Sequence, residues 1–341
     1  MNSVFKILSL GLAVFLTAAA FSSCIGGGAA GEKPENTGFP LSPGLTYTPD
    51  IMPTGEAGAS ENQQDGSDPE TGMENENADE DYRRSTLYYL TDEGYILPVT
   101  VDIPWEAGIA KACLAKLVSN PENRMEAQQK GLKNPIPEGT VIEINISEGR
   151  ANVNLKNMPP VLSAEQEKIM FTAIVNTLTG FDNIKTVSVM VNGRTGQTAN
   201  GVDMPAEHGK YVLNTENAEV AVSGSAKPML LFFPNESGSH IIPVTRYTEG
   251  SADMYTAISG LAEGTVLPAL RSCFPENTLV LAATVENNVL CVNLTSDFKL
   301  ISETPGLFEL AQKTVLMTAR QYADVNEVRF FINGAPYIHE A

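Results

Sequence analysis

The pentapeptide Val189-Met190-Val191-Asn192-Gly193 returns as Phe330-Phe331-Ile332-Asn333-Gly334, about 140 residues later. In both copies apolar residues alternate up to an Asn-Gly pair, the pattern of a strand closed by a tight turn. The repetition extends well upstream. Leu97-Pro98-Val99-Thr100 matches Ile242-Pro243-Val244-Thr245, and Val153-Asn154-Leu155 matches Val292-Asn293-Leu294. A helical period over Ala110, Cys113, Leu114 and Leu117 is matched by Met254, Ala257, Ile258 and Leu261. A second one, over Ile174, Thr177, Leu178 and Phe181, is matched by Val315, Thr318, Ala319 and Tyr322. A period this long and this internally varied marks a duplicated domain, since solenoid repeats are shorter and more numerous.

The expected fold is therefore α+β. Two copies follow the order strand, strand, helix, strand, strand, helix, strand, each predicted as one mixed sheet with two helices packed on one face. The domains are expected at 85–225 and 226–341, with the last strand of each ending at its Asn-Gly pair. Each domain is expected to hold its own modest core. In the first domain, strands are predicted at Leu87–Leu90 and Tyr95–Ile103, with a loop through Pro135, Pro137 and Gly139. Ser163 and Gln166 are spaced as a capping box, while Ser251 and Thr304, the latter followed by Pro305, are predicted to cap the helices of the second domain.

Residues 1–84 belong to neither copy. Lys6 precedes an apolar run from Ile7 to Ala20, then Phe21-Ser22-Ser23-Cys24. This is the layout of a signal peptide, too short for a comfortable membrane span. The stretch resembles a bacterial lipoprotein signal, which makes Cys24 the expected lipidation site and residues 1–23 the leader, although Phe21 departs from the usual leucine. Ordinary secretion with cleavage after Ala20 is the alternative. Lipid chains would tie the protein to the outer face of the cytoplasmic membrane. Residues 24–84 then read as a disordered acidic tether, with 13 acidic and 3 basic residues from 25 to 84 and few large apolar ones. A flexible coil of that length spans roughly 45 Å.

Charge and side-chain chemistry narrow the function. A net charge of −19 repels nucleic acid and anionic lipid, so no nucleic-acid partner is expected. If Cys24 is lipidated, Cys113, Cys273 and Cys291 form an odd set without metal-ligand spacing. His208, His240 and His339 are far apart in sequence and suggest no zinc site. Ser223-Gly224-Ser225 lacks the setting of a nucleophile elbow, Glu143 and Glu148 flank a hairpin without an evident apolar pocket, and Gly26-Gly27-Gly28 opens no helix. No catalytic residue, metal or cofactor is expected. Met190 and Phe331 occupy equivalent outward positions on the last strands. They could face a partner, or be covered by the segment 195–227.

The run Ile174–Thr179 with Phe181, Val187 and Val191-Asn192-Gly193 resembles the C-terminal signature of the GerMN domain family. Leu97-Pro98-Val99 and Val153-Asn154-Leu155 fit the same pattern. The second copy keeps Ile242-Pro243-Val244, Arg246, Val292-Asn293-Leu294, Thr318 and Ile332-Asn333-Gly334. The resemblance covers about residues 85–341. It implies a fold similar to the ring-building domains of secretion-type channels, and a non-enzymatic sporulation and germination lipoprotein that assembles or stabilises an envelope channel. Its partners would then be envelope proteins, ring-forming channel components among them. A cell-wall-associated binding protein with a vegetative role is the alternative reading; exposed aromatic rows would favour it, and the single Trp gives little support.

Overall fold

The computed structural model describes residues 82–104, 108–160, 162–222 and 224–339. The signal-like segment, Cys24 and the tether up to residue 81 lie outside the described residues, as does Ser223.

The first repeat opens with an antiparallel hairpin of β1 (Tyr82–Thr91) and β2 (Ile96–Pro104). The first described strand includes residues 82–84, ahead of the expected start at 85. Helix α1 (Ile109–Lys116) follows, then α2 (Pro121–Gln129) and the short β3 (Leu132–Lys133), which pairs with β1. Next come β4 (Val141–Ser147), β5 (Arg150–Lys156), α3 (Ala164–Leu178) and β6 (Thr186–Val191). A four-residue turn of helix, α4 (Ala218–Ala221), precedes the second repeat. There β7 (Lys227–Pro234) and β8 (Ile241–Thr248) make the hairpin, followed by α5 (Met254–Glu263), β9 (Val280–Glu286) and β10 (Val289–Leu294). A 3-10 helix at Ser296–Glu303 leads to α6 (Leu307–Ala319), β11 (Glu327–Ile332) and β12 (Ala335–Pro336).

The duplicated order of elements is present, and so is the register. In the first repeat β5 pairs antiparallel with β4 and parallel with β6; β10 does the same with β9 and β11. Ala151 opposite Val187 corresponds to Leu290 opposite Val328. The expected helix faces are buried in both copies, except that Met254 and Tyr322 are half-buried at the core margin.

The single mixed sheet expected per repeat is instead two sheets: the hairpin, and a separate mixed sheet. Helix α3 packs on both β1 and β6, and α6 on both β7 and β11. The hairpins bury residues of both parities, such as Leu87, Tyr88 and Tyr89 or Ile96, Leu97 and Val99. Such strands must be covered on two sides; Tyr88 and Ile96 pack with Ala173 of α3 and with Leu213, and β2 also lies against β8. The expected separate cores are likewise one, since a continuous set of packed side chains runs from Leu87 to Ile332. All described residues fall in one compact unit.

Capping follows local geometry. Ser163 and Gln166 form the reciprocal capping box. In α5 the cap is Asp253 rather than Ser251; its carboxylate accepts the Thr256 N–H, and the Ser251 hydroxyl donates to it. In α6 the N-cap is Gly306, and Thr304 ends the preceding 3-10 helix. Helix α2 was not expected from periodicity, because its apolar content is low. Asn120 caps it through the Asn123 N–H, with Pro121 at its first position.

Each of the two matching Asn-Gly pairs follows directly on β6 or β11, as expected, and turns the chain there. Asn192 and Gly193 have φ of 51° and 73°, and Asn333 and Gly334 of 49° and 85°, the left-handed pair of a two-residue hairpin. Val191 and Arg194 exchange backbone bonds of 3.0 Å, and Ile332 pairs with Ala335. The repeated Val-Asn-Leu now has a physical reason. Asn154 Oδ1 accepts the Gly193 N–H at 2.9 Å, and Asn293 Oδ1 accepts the Gly334 N–H at 2.8 Å. The returning chain then reaches back to the second helix in both copies. Thr198 and Asn200 donate to buried Glu167 of α3, and His339 stacks on Phe308 of α6. On the strand alignment these are the same positions, filled by polar groups in one copy and aromatic rings in the other.

Replacing Asn154 or Asn293 by Ala is expected to cost about 1 kcal/mol each, the worth of one clamping hydrogen bond. Asp at either position, which keeps the acceptor, is expected to recover part of that loss in chemical denaturation.

Candidate functional site

The two repeats meet at a junction made of ordinary backbone groups and one asparagine. Asn214 adopts φ 47°, a left-handed conformation that asparagine tolerates better than most residues. Its side chain accepts the Ile96 N–H at 2.9 Å and donates to the Ile96 carbonyl at 2.9 Å and the Pro243 carbonyl at 2.7 Å. One side chain thus satisfies the edge of β2 and reaches β8. Its neighbours pair with β8 directly: Thr245 N–H donates to the Leu213 carbonyl, and Glu216 N–H to the Thr245 carbonyl. Leu213 packs with Tyr88, Ile96 and Ala173, so the linker also contributes an apolar plug.

A second group of contacts joins the hairpin ends. Buried Asn235 donates to Glu93 at 3.0 Å, Tyr95 donates to the Pro268 carbonyl at 2.5 Å, and His240 Nε2 donates to the Lys130 carbonyl at 2.8 Å. Burial opposes ionisation of Glu93, but bonds from Thr91, its own backbone and Asn235 outweigh it and hold the carboxyl below its ordinary range. Its contribution to the junction is therefore present above the ordinary carboxylate value of roughly 4.3 and is lost as pH falls through the depressed one.

Arg246 ties linker to helix. Its Nε and Nη2 form a two-pronged pair with Glu216, at 2.9 and 3.1 Å; Nη1 donates to the Gly260 carbonyl and Nη2 also to the Gly264 carbonyl, at the C-terminus of α5. A positive group there meets the unpaired carbonyls of the last turn. Gly260 leaves room at this place: a Cβ would lie 3.1 Å from Leu231 and 3.2 Å from the guanidinium, and those side-chain ends would have to shift. The Arg246 and Glu216 side chains are 13% and 8% exposed, so the pair is largely desolvated.

The residues considered for chemistry are spread over the molecule. His208 stacks on Tyr211 at 3.7 Å, His240 lies in the junction and His339 lies on Phe308. Cys113, Cys273 and Cys291 are unpaired. Burial pushes the Cys113 thiol up and the Cys273 thiol up to about 11, which disfavours the reactive thiolate. Glu143 is held low by Lys156 and Asn154, while Glu148 forms part of the β4–β5 turn at φ 52°. Among the described residues no group of three His, Cys, Asp or Glu side chains could hold a metal, and no helix is long and apolar enough to cross a membrane. An open groove of about 400 Å³ is walled by Arg246, Tyr247, Tyr255 and Glu263.

Sheet faces and edges are the remaining features. Met190 and Phe331 are both half-buried. The segment from Arg194 to His208 runs beside β6, where Glu207 N–H donates to Ser188 and Arg150 pairs with Glu207 at 2.7 Å. Leu279 and Leu281 are exposed at β9, and Val141 at β4. Sequence reasoning did not single out Asn214, Asn235 or Glu216. Nothing in their spacing distinguishes them from other polar loop residues.

Asn214→Ala leaves three carbonyl or amide groups without a protein partner and is expected to cost about 3 kcal/mol. Amide exchange at Ile96 should accelerate more than exchange within β5. Glu216→Ala removes the carboxylate that faces the largely buried Arg246 guanidinium and is expected to cost about 3 kcal/mol in thermal or urea unfolding.

The comparisons with known proteins agree with this architecture. A family model described as Germane, sporulation and spore germination, matches residues 86–197 and 230–338, one stretch for each repeat. The spore germination protein GerM of Bacillus subtilis (strain 168) is 24% identical over 263 residues, covering 73% of this chain and 71% of the relative. The solved tandem GerMN domains of the sporulation protein GerM from Bacillus subtilis superpose with a TM-score of 0.57 at 20% identity, over 75% of this chain and 92% of that one. Matched by the family in both of its repeats, the chain belongs to the Germane family of sporulation and spore germination proteins.

Proposed function

We propose that this chain is a non-enzymatic envelope lipoprotein that assembles or stabilises a ring-like channel during sporulation or germination. The observation that carries the reading is the junction at Asn214, which holds two Germane repeats as one body. A rigid pair presents two sheet faces at a fixed spacing, which suits contact with neighbouring subunits of an assembly. The sporulation setting is supported by the family and by the GerM relative. Contacts through exposed strands or helix faces need no catalytic residue, and the histidines and thiols serve packing and hydrogen bonding instead.

Membrane attachment through Cys24 belongs to the same proposal. Lipid confines the protein to one surface, the acidic tether gives reach, and confinement raises the effective concentration at the assembly. The location is the outer face of the cytoplasmic membrane, and the partners are envelope proteins.

Cross-linking of a tagged protein in growing and in sporulating cells tests the reading. Capture of ring-forming channel components in sporulating cells is the expected result. Capture of wall synthases or glycan during growth, with no channel protein, would replace it with a wall-associated role. Cys24→Ala is expected to move the protein from the membrane to the soluble fraction and to reduce function, with an unchanged unfolding midpoint. Full complementation by that soluble form would remove tethering from the mechanism.

A further inference from the structure

The chain carries three Asn-Gly pairs: Asn192-Gly193, Asn200-Gly201 and Asn333-Gly334. Glycine has no Cβ to shield the backbone nitrogen, so an asparagine before it is the one most open to attack on its own side chain. The attack needs two things at once: the carboxamide must swing towards the glycine nitrogen, and that nitrogen must leave its hydrogen bond. All six residues are exposed, so water reaches each pair and only the bonding separates them. The Asn200 side chain donates to the Leu162 carbonyl and to Glu167, both at 3.0 Å, and Gly201 N–H donates to the Thr198 carbonyl. Asn192 Oδ1 accepts the Asn157 N–H at 2.9 Å, while Asn154 holds the Gly193 N–H. At the third pair only the glycine is held, by Asn293. Among the described residues nothing bonds to the Asn333 carboxamide. The difference begins after β5, where the chain passes through Asn157 at φ 58° and aims its N–H at Asn192. With Asn154 aligned on Asn293, the counterpart of Asn157 is Ser296, and there the chain turns into the 3-10 helix instead.

We infer that Asn333 is a site of spontaneous deamidation in the folded protein, and that Asn192 and Asn200 are protected from it by their side-chain bonds. Solvent base removes the Gly334 amide proton, and the nitrogen attacks Asn333 Cγ. The new N–Cγ bond closes a cyclic succinimide as the Cγ–Nδ2 bond breaks, and ammonia leaves. Water then opens the ring at either carbonyl, leaving aspartate or isoaspartate. Water is consumed and ammonia released, with no change of oxidation state. Both products add a negative charge. Isoaspartate also inserts an extra carbon into the main chain at the turn between β11 and β12, on which the pairing of Phe331 with Pro336 and of Ile332 with Ala335 depends. Asn293 therefore has a second role. Besides holding the turn, it slows the reaction by keeping the glycine nitrogen in a bond that must open first. The inference stands apart from the proposed envelope role and holds for the protein in any compartment.

Peptide mass spectrometry of the full chain, aged in warm, mildly alkaline buffer, reads the exchange of amide for acid at each site. Asn333 is expected to deamidate about fivefold faster than Asn192, the weight of one extra hydrogen bond that must open, and to outpace Asn200 by more. In strong urea the three rates should converge, because each asparagine precedes a glycine. Asn293→Ala should speed the reaction at Asn333 about fivefold and leave Asn192 at its wild-type rate. Asn293→Asp, which keeps the acceptor, should not speed it. Circular dichroism checks that both variants stay folded during ageing. Equal rates at the three sites of the folded chain overturn the inference, as does a lead by Asn192 or Asn200. A lead of Asn333 that persists in urea also overturns it, since its cause would then lie in the sequence. An Asn293→Ala variant that ages like wild type, or that speeds all three sites alike, overturns the role given to Asn293.

Discussion

Asn214 satisfies both backbone groups of Ile96 and reaches Pro243, and much of the molecule depends on that arrangement. Without it the β2 edge would carry unpaired polar groups into a buried junction, which is costly. With it, the hairpins can bury residues on both sides and leave the mixed sheets to stand apart. The buried pair of Arg246 with Glu216 then fixes the linker against the end of α5. Two domains that share one continuous core move as one body, in contrast to domains joined by a bare linker.

Duplication explains the recurring small motifs. Each repeat must reverse its chain at an Asn-Gly pair beside a parallel strand, and each uses the preceding Val-Asn-Leu to hold the glycine amide. Where the copies diverge, the geometry survives a change of chemistry. Glu167 with Thr198 and Asn200 does in one what Phe308 with His339 does in the other. The junction, by contrast, is built from residues outside the repeat pattern. For a Germane protein, this places inter-domain rigidity in the linker rather than in the repeated fold.

Much of the local structure was legible in the linear chain. Periods of two and of about 3.6 gave the strands, the helix faces and the duplication, because burial on one face leaves that imprint on each element. The capping box at Ser163 was readable from spacing alone. Other local features were not: α2 has almost no apolar stripe, and Asp253 competed with Ser251 for the cap of α5. The division of each repeat into two sheets, the merged core and the role of Asn214 came from contacts distant in the chain, as Asn214 is 118 positions from Ile96. Propensity and periodicity describe which face of a strand is apolar, but they do not say what covers it. That choice is made when hydrogen-bonding edges meet their partners in space.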